Sequence, residues 1–238
     1  MYFDTNPNGE NLFLFRSHHV RLKILNEEGL KYAKVKFKYH DMNCERYHGE
    51  NSYIFKGYTY NLNGSGELKK TRLKSKYITH KDTGNCQVIA EADFQDVKVG
   101  SIIEYKVITP TLKFINPDSW EFQKEIPVIN SEFKAKIPRN FKYSFILKNI
   151  DDLFETDSGY YDKVLNYKFR YGNRLYHTVI DISGREYRFV NKYMQPAIER
   201  NKAERIKIHL KEARTEPGEY PWKRLTKALA ITTWEDYS

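Results

Sequence analysis

Cysteine is scarce. Cys44 and Cys86 are the chain's two, too few and too far apart for a disulfide framework. Free, half-buried thiols are the expectation, with one disulfide as the alternative in an oxidising compartment. Long apolar runs are missing too. Leu12 to Phe15 is the longest near the start, far short of the ~18 residues of a membrane span. Met1 to Glu10 is polar and has no basic lead-in, so no secretory signal is read there. That leaves a cytoplasmic protein or one without its natural N-terminus. Helix-period patterns are nearly absent, and no repeat of ~20–50 residues is visible. No Gly-x-Ser-x-Gly elbow occurs. The Asn61-Leu62-Asn63-Gly64-Ser65-Gly66 cluster is turn chemistry and not a phosphate cradle, because no helix pattern follows it and Lys69 does not complete a P-loop spacing.

What is present is alternation. The chain has 238 residues, enough for one large domain or two small ones burying roughly 70% of their unfolded surface. The stretch from Phe94 to Val128 organises it. Gly100 predicts a bend into a strand from Ser101 to Ile108, with Ile103, Tyr105 and Val107 on one face and Glu104 and Lys106 on the other. After a proline-containing loop, Trp120 and Phe122 return two large rings, and Pro127 ends ladder bonding.

The same period of two recurs elsewhere. Val20, Leu22 and Ile24 alternate with basic residues, and Asn26-Glu27-Glu28-Gly29 predicts a hairpin loop returning through Ala33 to Tyr39. Strands are predicted over Leu12–Phe15, Tyr53–Tyr60, Leu68–Ile78, Gln87–Ala92 and Ser131–Ile137. Phe141 to Leu147 follows, then a hairpin turning at Gly172-Asn173. Arg205 to Lys211 alternates as a strand and not as a helix. About fourteen strands, short turns and 19 Tyr with 14 Phe predict an all-β fold, a large antiparallel β-sandwich of immunoglobulin-like or supersandwich type. The expected division is an irregular lead-in over 1–11, the sandwich over 12–212, and over 213–238 a short irregular tail with little helix.

The net charge of +9 raises nucleic acid as a partner. Lys34, Lys36 and Lys38 alternate with apolar residues, as do Lys134 and Lys136, which is the solvent face of half-buried strands. Lys69, Lys70, Arg72, Lys74 and Lys76 form the densest basic run. No recognised motif accompanies it, so nucleic acid is disfavoured. His40, Cys44 and His48 are of zinc-ligand type, yet a fourth ligand is missing. His18 and His19 point to opposite faces, and His80, His177 and His209 look isolated. Asp151-Asp152 reads as a helix cap. No cofactor, no metal and no catalytic residue are expected.

Several blocks carry a resemblance. They are Val20-x-Leu22-Lys23-Ile24-Leu25-Asn26-Glu27-Glu28-Gly29, Tyr58-Thr59-Tyr60-Asn61-Leu62, Gly100-Ser101-Ile102-Ile103-Glu104-Tyr105 and Trp120-x-Phe122-Gln123-x-x-Ile126-Pro127-Val128. Together they resemble a bacterial family, domain of unknown function 3857, whose members lie immediately N-terminal to a transglutaminase-like (papain-type) domain. Thr232-Thr233-Trp234-Glu235 is similar to the junction with that domain, and its Thr-x-x-Glu spacing is that of a capping box.

The resemblance implies a non-catalytic sandwich module that supports or positions such a domain, absent from this chain. Gly100, Glu104, Tyr105, Trp120, Phe122, Gln123 and Pro127 are then motif residues, serving packing or a contact surface for the neighbour. A periplasmic or secreted location is also implied. The alternative reading is a glycan- or peptide-binding sandwich, prompted by the aromatic excess.

Overall fold

The computed structural model describes residues 1–5, 12–41, 44, 53–111, 115–150, 154–171, 173–197, 199 and 202–213. In chain order the strands are β1 (Tyr2–Thr5), β2 (Leu12–Lys23), β3 (Lys34–His40), β4 (Ile54–Leu62), β5 (Leu68–Arg72), β6 (Ile78–Asp82), β7 (Gln87–Asp93) and β8 (Ile102–Thr111). They continue with β9 (Trp120–Glu121), β10 (Val128–Pro138), β11 (Phe141–Lys148), β12 (Glu155–Tyr161), β13 (Val164–Tyr171), β14 (Arg174–Asp181), β15 (Gly184–Met194) and β16 (Arg205–Ala213). Short 3₁₀ helices at Glu27–Ala33 and Ser75–Tyr77 interrupt them. The fold is all-β, in antiparallel sheets stacked as sandwiches, with little helix. Within the span that reads as one sandwich, the chain divides into two compact units, Phe15–Thr111 and Met1–Leu14 with Leu112–Ser238.

In the Phe15–Thr111 unit, β2-β8-β4-β5 run side by side and β3-β7-β6 form a second sheet. Ile103, Ala92, Phe94, Ile24 and Leu73 are buried together. The facing sheets also meet through rings, Phe37 of β3 stacking on Phe55 of β4 at 5.2 Å, and within its own sheet Phe55 stacks on Tyr105 of the adjacent β8 at 5.8 Å. Odd positions of β4 face inward, and Gly57 among them lets the Phe94 ring close on the backbone. A Cβ at 57 would come within 2.7 Å of that ring.

The other unit holds the sheets β10-β15-β12, β11-β16-β9 and β13-β14. Phe133, Ala135 and Ile137 of β10 are buried while Lys134 stays outward, the alternation expected of a half-buried strand. Phe133 lies opposite Phe189 in the β10–β15 register. Phe145 of β11 reaches across to Phe189 at 5.1 Å and to Tyr187 at 4.9 Å. Ile206 and Ile208 of β16 complete that layer. The β13–β14 hairpin forms with Tyr171 opposite Arg174, as the sequence predicts.

Four expectations need correction. The Asn26–Gly29 segment is no hairpin loop: the Asn26 side chain accepts from the Gly29 N–H at 3.1 Å and starts a 3₁₀ helix, and β3 pairs with β7. Leu68–Ile78 is not one strand, because it breaks after Arg72 and re-enters the other sheet as β6. Leu12–Phe15 and Val20–Ile24 merge into the single β2. Finally, the two thiols are not free. Cys44 and Cys86 form a disulfide, with Cα atoms 5.6 Å apart. The expectations for Asp151-Asp152, His48 and the 214–238 segment lie outside the described residues.

Candidate functional site

The motif residues fall into two groups, one in each unit. Gly100 has φ +90°, a region that side chains other than glycine rarely adopt. Its N–H donates to the Ile24 carbonyl at 2.8 Å, and Ser101 carbonyl accepts from Ile24 N at 2.9 Å. Ser101 is fully buried; its hydroxyl donates to Asn61 Oδ1 and accepts from the Lys98 N–H at 2.8 Å. Asn61 in turn donates to the Asp96 carbonyl at 2.7 Å. The block is thus a hydrogen-bonded corner tying β2, β4 and β8. Gly100→Ala is expected to cost about 1–3 kcal/mol, read from urea unfolding, because the alanine must hold a left-handed backbone.

Further along β8, Tyr105 turns inward against Phe55 and Phe94, and Glu104 turns outward. Glu104 Oε1 lies 2.9 Å from His19 Nε2 and accepts from Arg21 at 3.1 Å; Tyr60 also bonds it. Partial burial raises the carboxyl pKa, but the hydrogen bonds from His19, Tyr60 and Arg21 outweigh it and hold it below the usual range. The unfolded chain therefore takes up this proton first as pH falls. The stabilisation is present above a pH of about 4.3 and is lost as pH drops through the lower folded value. Glu104→Gln is expected to remove that part of the stability–pH curve, measured by urea midpoints from neutral to acid pH.

In the second group, Phe122 is fully buried and Trp120 half-buried. Trp120 Nε1 donates to Ser131 Oγ at 3.2 Å, and Gln123 Nε2 donates to the Gln195 carbonyl at 2.9 Å. Pro127 is exposed, just ahead of β10. The Phe122 N–H donates to the Glu204 carbonyl at 2.9 Å, and Asn191, fully buried, donates to the Glu204 carboxylate.

Other expected clusters dissolve or regroup. The basic run is split: Lys69 pairs with Asp96 at 3.2 Å, whereas Lys70 stands over the Tyr58 ring at 3.9 Å. Cys44 is tied to Cys86, and among the described residues no group of three or more His, Cys, Asp or Glu could hold a metal. His80 is not isolated. Its two ring nitrogens lie 3.3 Å from the Tyr39 hydroxyl and 3.2 Å from that of Tyr53. Burial pushes both phenols up. Three separate segments build this cluster, so no local sequence signal announces it.

No family model matches the chain, and no curated protein does. A solved structure of a "putative protease" from Parabacteroides distasonis ATCC 8503 is similar over 87% of this chain, with a TM-score of 0.52 and 10% identity. The chain spans 38% of that protein's length. At such identity the likeness is one of fold.

Proposed function

We propose that this chain is a non-catalytic β-sandwich module that supports or positions a transglutaminase-like, cysteine protease-type domain. One observation carries the reading: the same fold recurs as a part, 38% by length, of a larger protein described as a putative protease. The resemblance of Gly100–Tyr105 and Trp120–Val128 to the domain of unknown function 3857 family agrees with it. In that reading Trp120, Gln123 and Pro127 border the surface that meets the partner domain. A periplasmic or secreted location fits the Cys44–Cys86 disulfide, since such bonds persist in oxidising compartments. The native reading frame beyond Ser238 tests the proposal. A Cys-His-Asp domain is expected there, and a frame without one contradicts it.

A further inference from the structure

The outer face of the sheet β2-β8-β4-β5 carries an arrangement that folding alone does not call for. Lys56 of β4 lies directly opposite Lys106 of β8 in the register. Both strands are interior to that sheet, and like charges directly opposite each other are destabilising. Tyr58 stands opposite Glu104 on one side and Arg72 on the other, and Tyr60 opposite Lys70. His19 and Arg21 extend the row on β2. Among the described residues no carboxylate pairs with Lys56, Arg72 or Lys106, and Glu104 is already engaged by its three partners. Charge on an edge strand discourages edge pairing, which accounts for Lys70 and Arg72 on β5. It does not account for Lys56 and Lys106.

We propose that this face binds an anionic glycan, whose carboxylates sit between Lys56, Lys106 and Arg72 while its hydroxyls meet Tyr58 and Tyr60. The cations complement the charge, and adjacent strands about 4.8 Å apart present them in rows that an extended chain can follow. Nucleic acid fits less well. Lys70 already covers the Tyr58 ring at 3.9 Å, the face on which an unstacked base would lie, and the disulfide belongs to an oxidising compartment. An acidic peptide would find aliphatic anchors only at the two ends of this row, Ile54 opposite Ile108 and Leu62 opposite Leu68. Between them the outward side chains of β4 are Lys56, Tyr58 and Tyr60, which suit carboxylates and hydroxyls. This binding stands apart from the supporting role proposed above.

The test is calorimetric titration of the intact chain with a polygalacturonate oligomer, its methyl-esterified neutral form and a single-stranded oligonucleotide of equal charge. The acidic oligomer is expected to bind and the neutral one not. Lys56→Gln with Lys106→Gln is expected to weaken binding at least tenfold, with a thermal midpoint unchanged or raised. Lys142→Gln with Lys207→Gln, the same charge change in the other unit, is expected to leave binding within twofold. Arg72→Gln is a second, single-site reading, expected to weaken binding several-fold. No binding of the acidic oligomer, an equal loss in both double variants, or tighter binding of the oligonucleotide overturns the proposal.

Discussion

Phe122→Ala is expected to lower the unfolding free energy by about 3–5 kcal/mol, the range for a buried phenylalanine truncated in a packed core. The ring is fully buried, stands edge-on to Phe154 at 5.3 Å, and belongs to the cluster holding Phe133, Phe189 and Ile206. Its own N–H is bonded to the Glu204 carbonyl, so the backbone cannot shift to fill the hole without breaking that bond. Beside it lies a buried polar pair, Asn191 with Glu204, whose hydrogen bond depends on water staying out. Urea unfolding followed by far-ultraviolet circular dichroism measures the loss. Phe122→Leu keeps most of the volume and is expected to cost less than half as much. If the alanine variant unfolds within 1 kcal/mol of the parent, the packing role assigned to this residue is wrong.

The second large effect concerns the disulfide. Cys44 and Cys86 are 42 residues apart, and closing a loop of that length restricts the unfolded chain by about 4 kcal/mol in the chain-entropy treatment. Reduction, or Cys44→Ser with Cys86→Ser, is expected to destabilise the Phe15–Thr111 unit by about that amount. The bond ties the chain beyond β3 to the start of β7, beside the bond from the Asp41 N–H to the Cys86 carbonyl at 2.8 Å. Backbone amides of β3, β6 and β7 are therefore expected to lose hydrogen-exchange protection on reduction, and those of β10, β15 and β16 to keep it. Equal loss in both units would show that the bond acts on more than its own sandwich.

How far these features are legible in the sequence depends on how local they are. Period-two alternation marks Ile103, Tyr105 and Val107 as one face because a strand's pleat is a local property. The Gly100 bend and the Gly172-Asn173 hairpin are local in the same way. Pairing partners are not. Asn26 is followed by a strand, as expected of a hairpin, yet its own side chain captures the Gly29 N–H and turns the chain away, so β3 finds β7. Leu68–Ile78 looks like one strand until Leu73 is seen buried at the crossing between two sheets. The candidate sites follow the same rule. Glu104 is a visible motif residue, but its partners His19 and Arg21 lie more than eighty positions earlier. The Lys56–Lys106 juxtaposition and the Tyr39–His80–Tyr53 cluster exist only once the registers are set. Trp120 and Phe122 are legible as large apolar rings because burial of aromatic area needs no particular partner. That Phe122 is fully buried while Trp120 is only partly so depends on packing the sequence does not display.

The central claim is that the reacting groups belong to a neighbouring domain and not to this chain. The most direct measurement assays the 238-residue chain for peptide hydrolysis and transamidation, with and without reductant, beside a protein in which a transglutaminase-like domain is the continuation of this chain. The account predicts turnover only where the continuation is present. Turnover by the isolated chain that appears on reduction and disappears in Cys44→Ser or Cys86→Ser would contradict it.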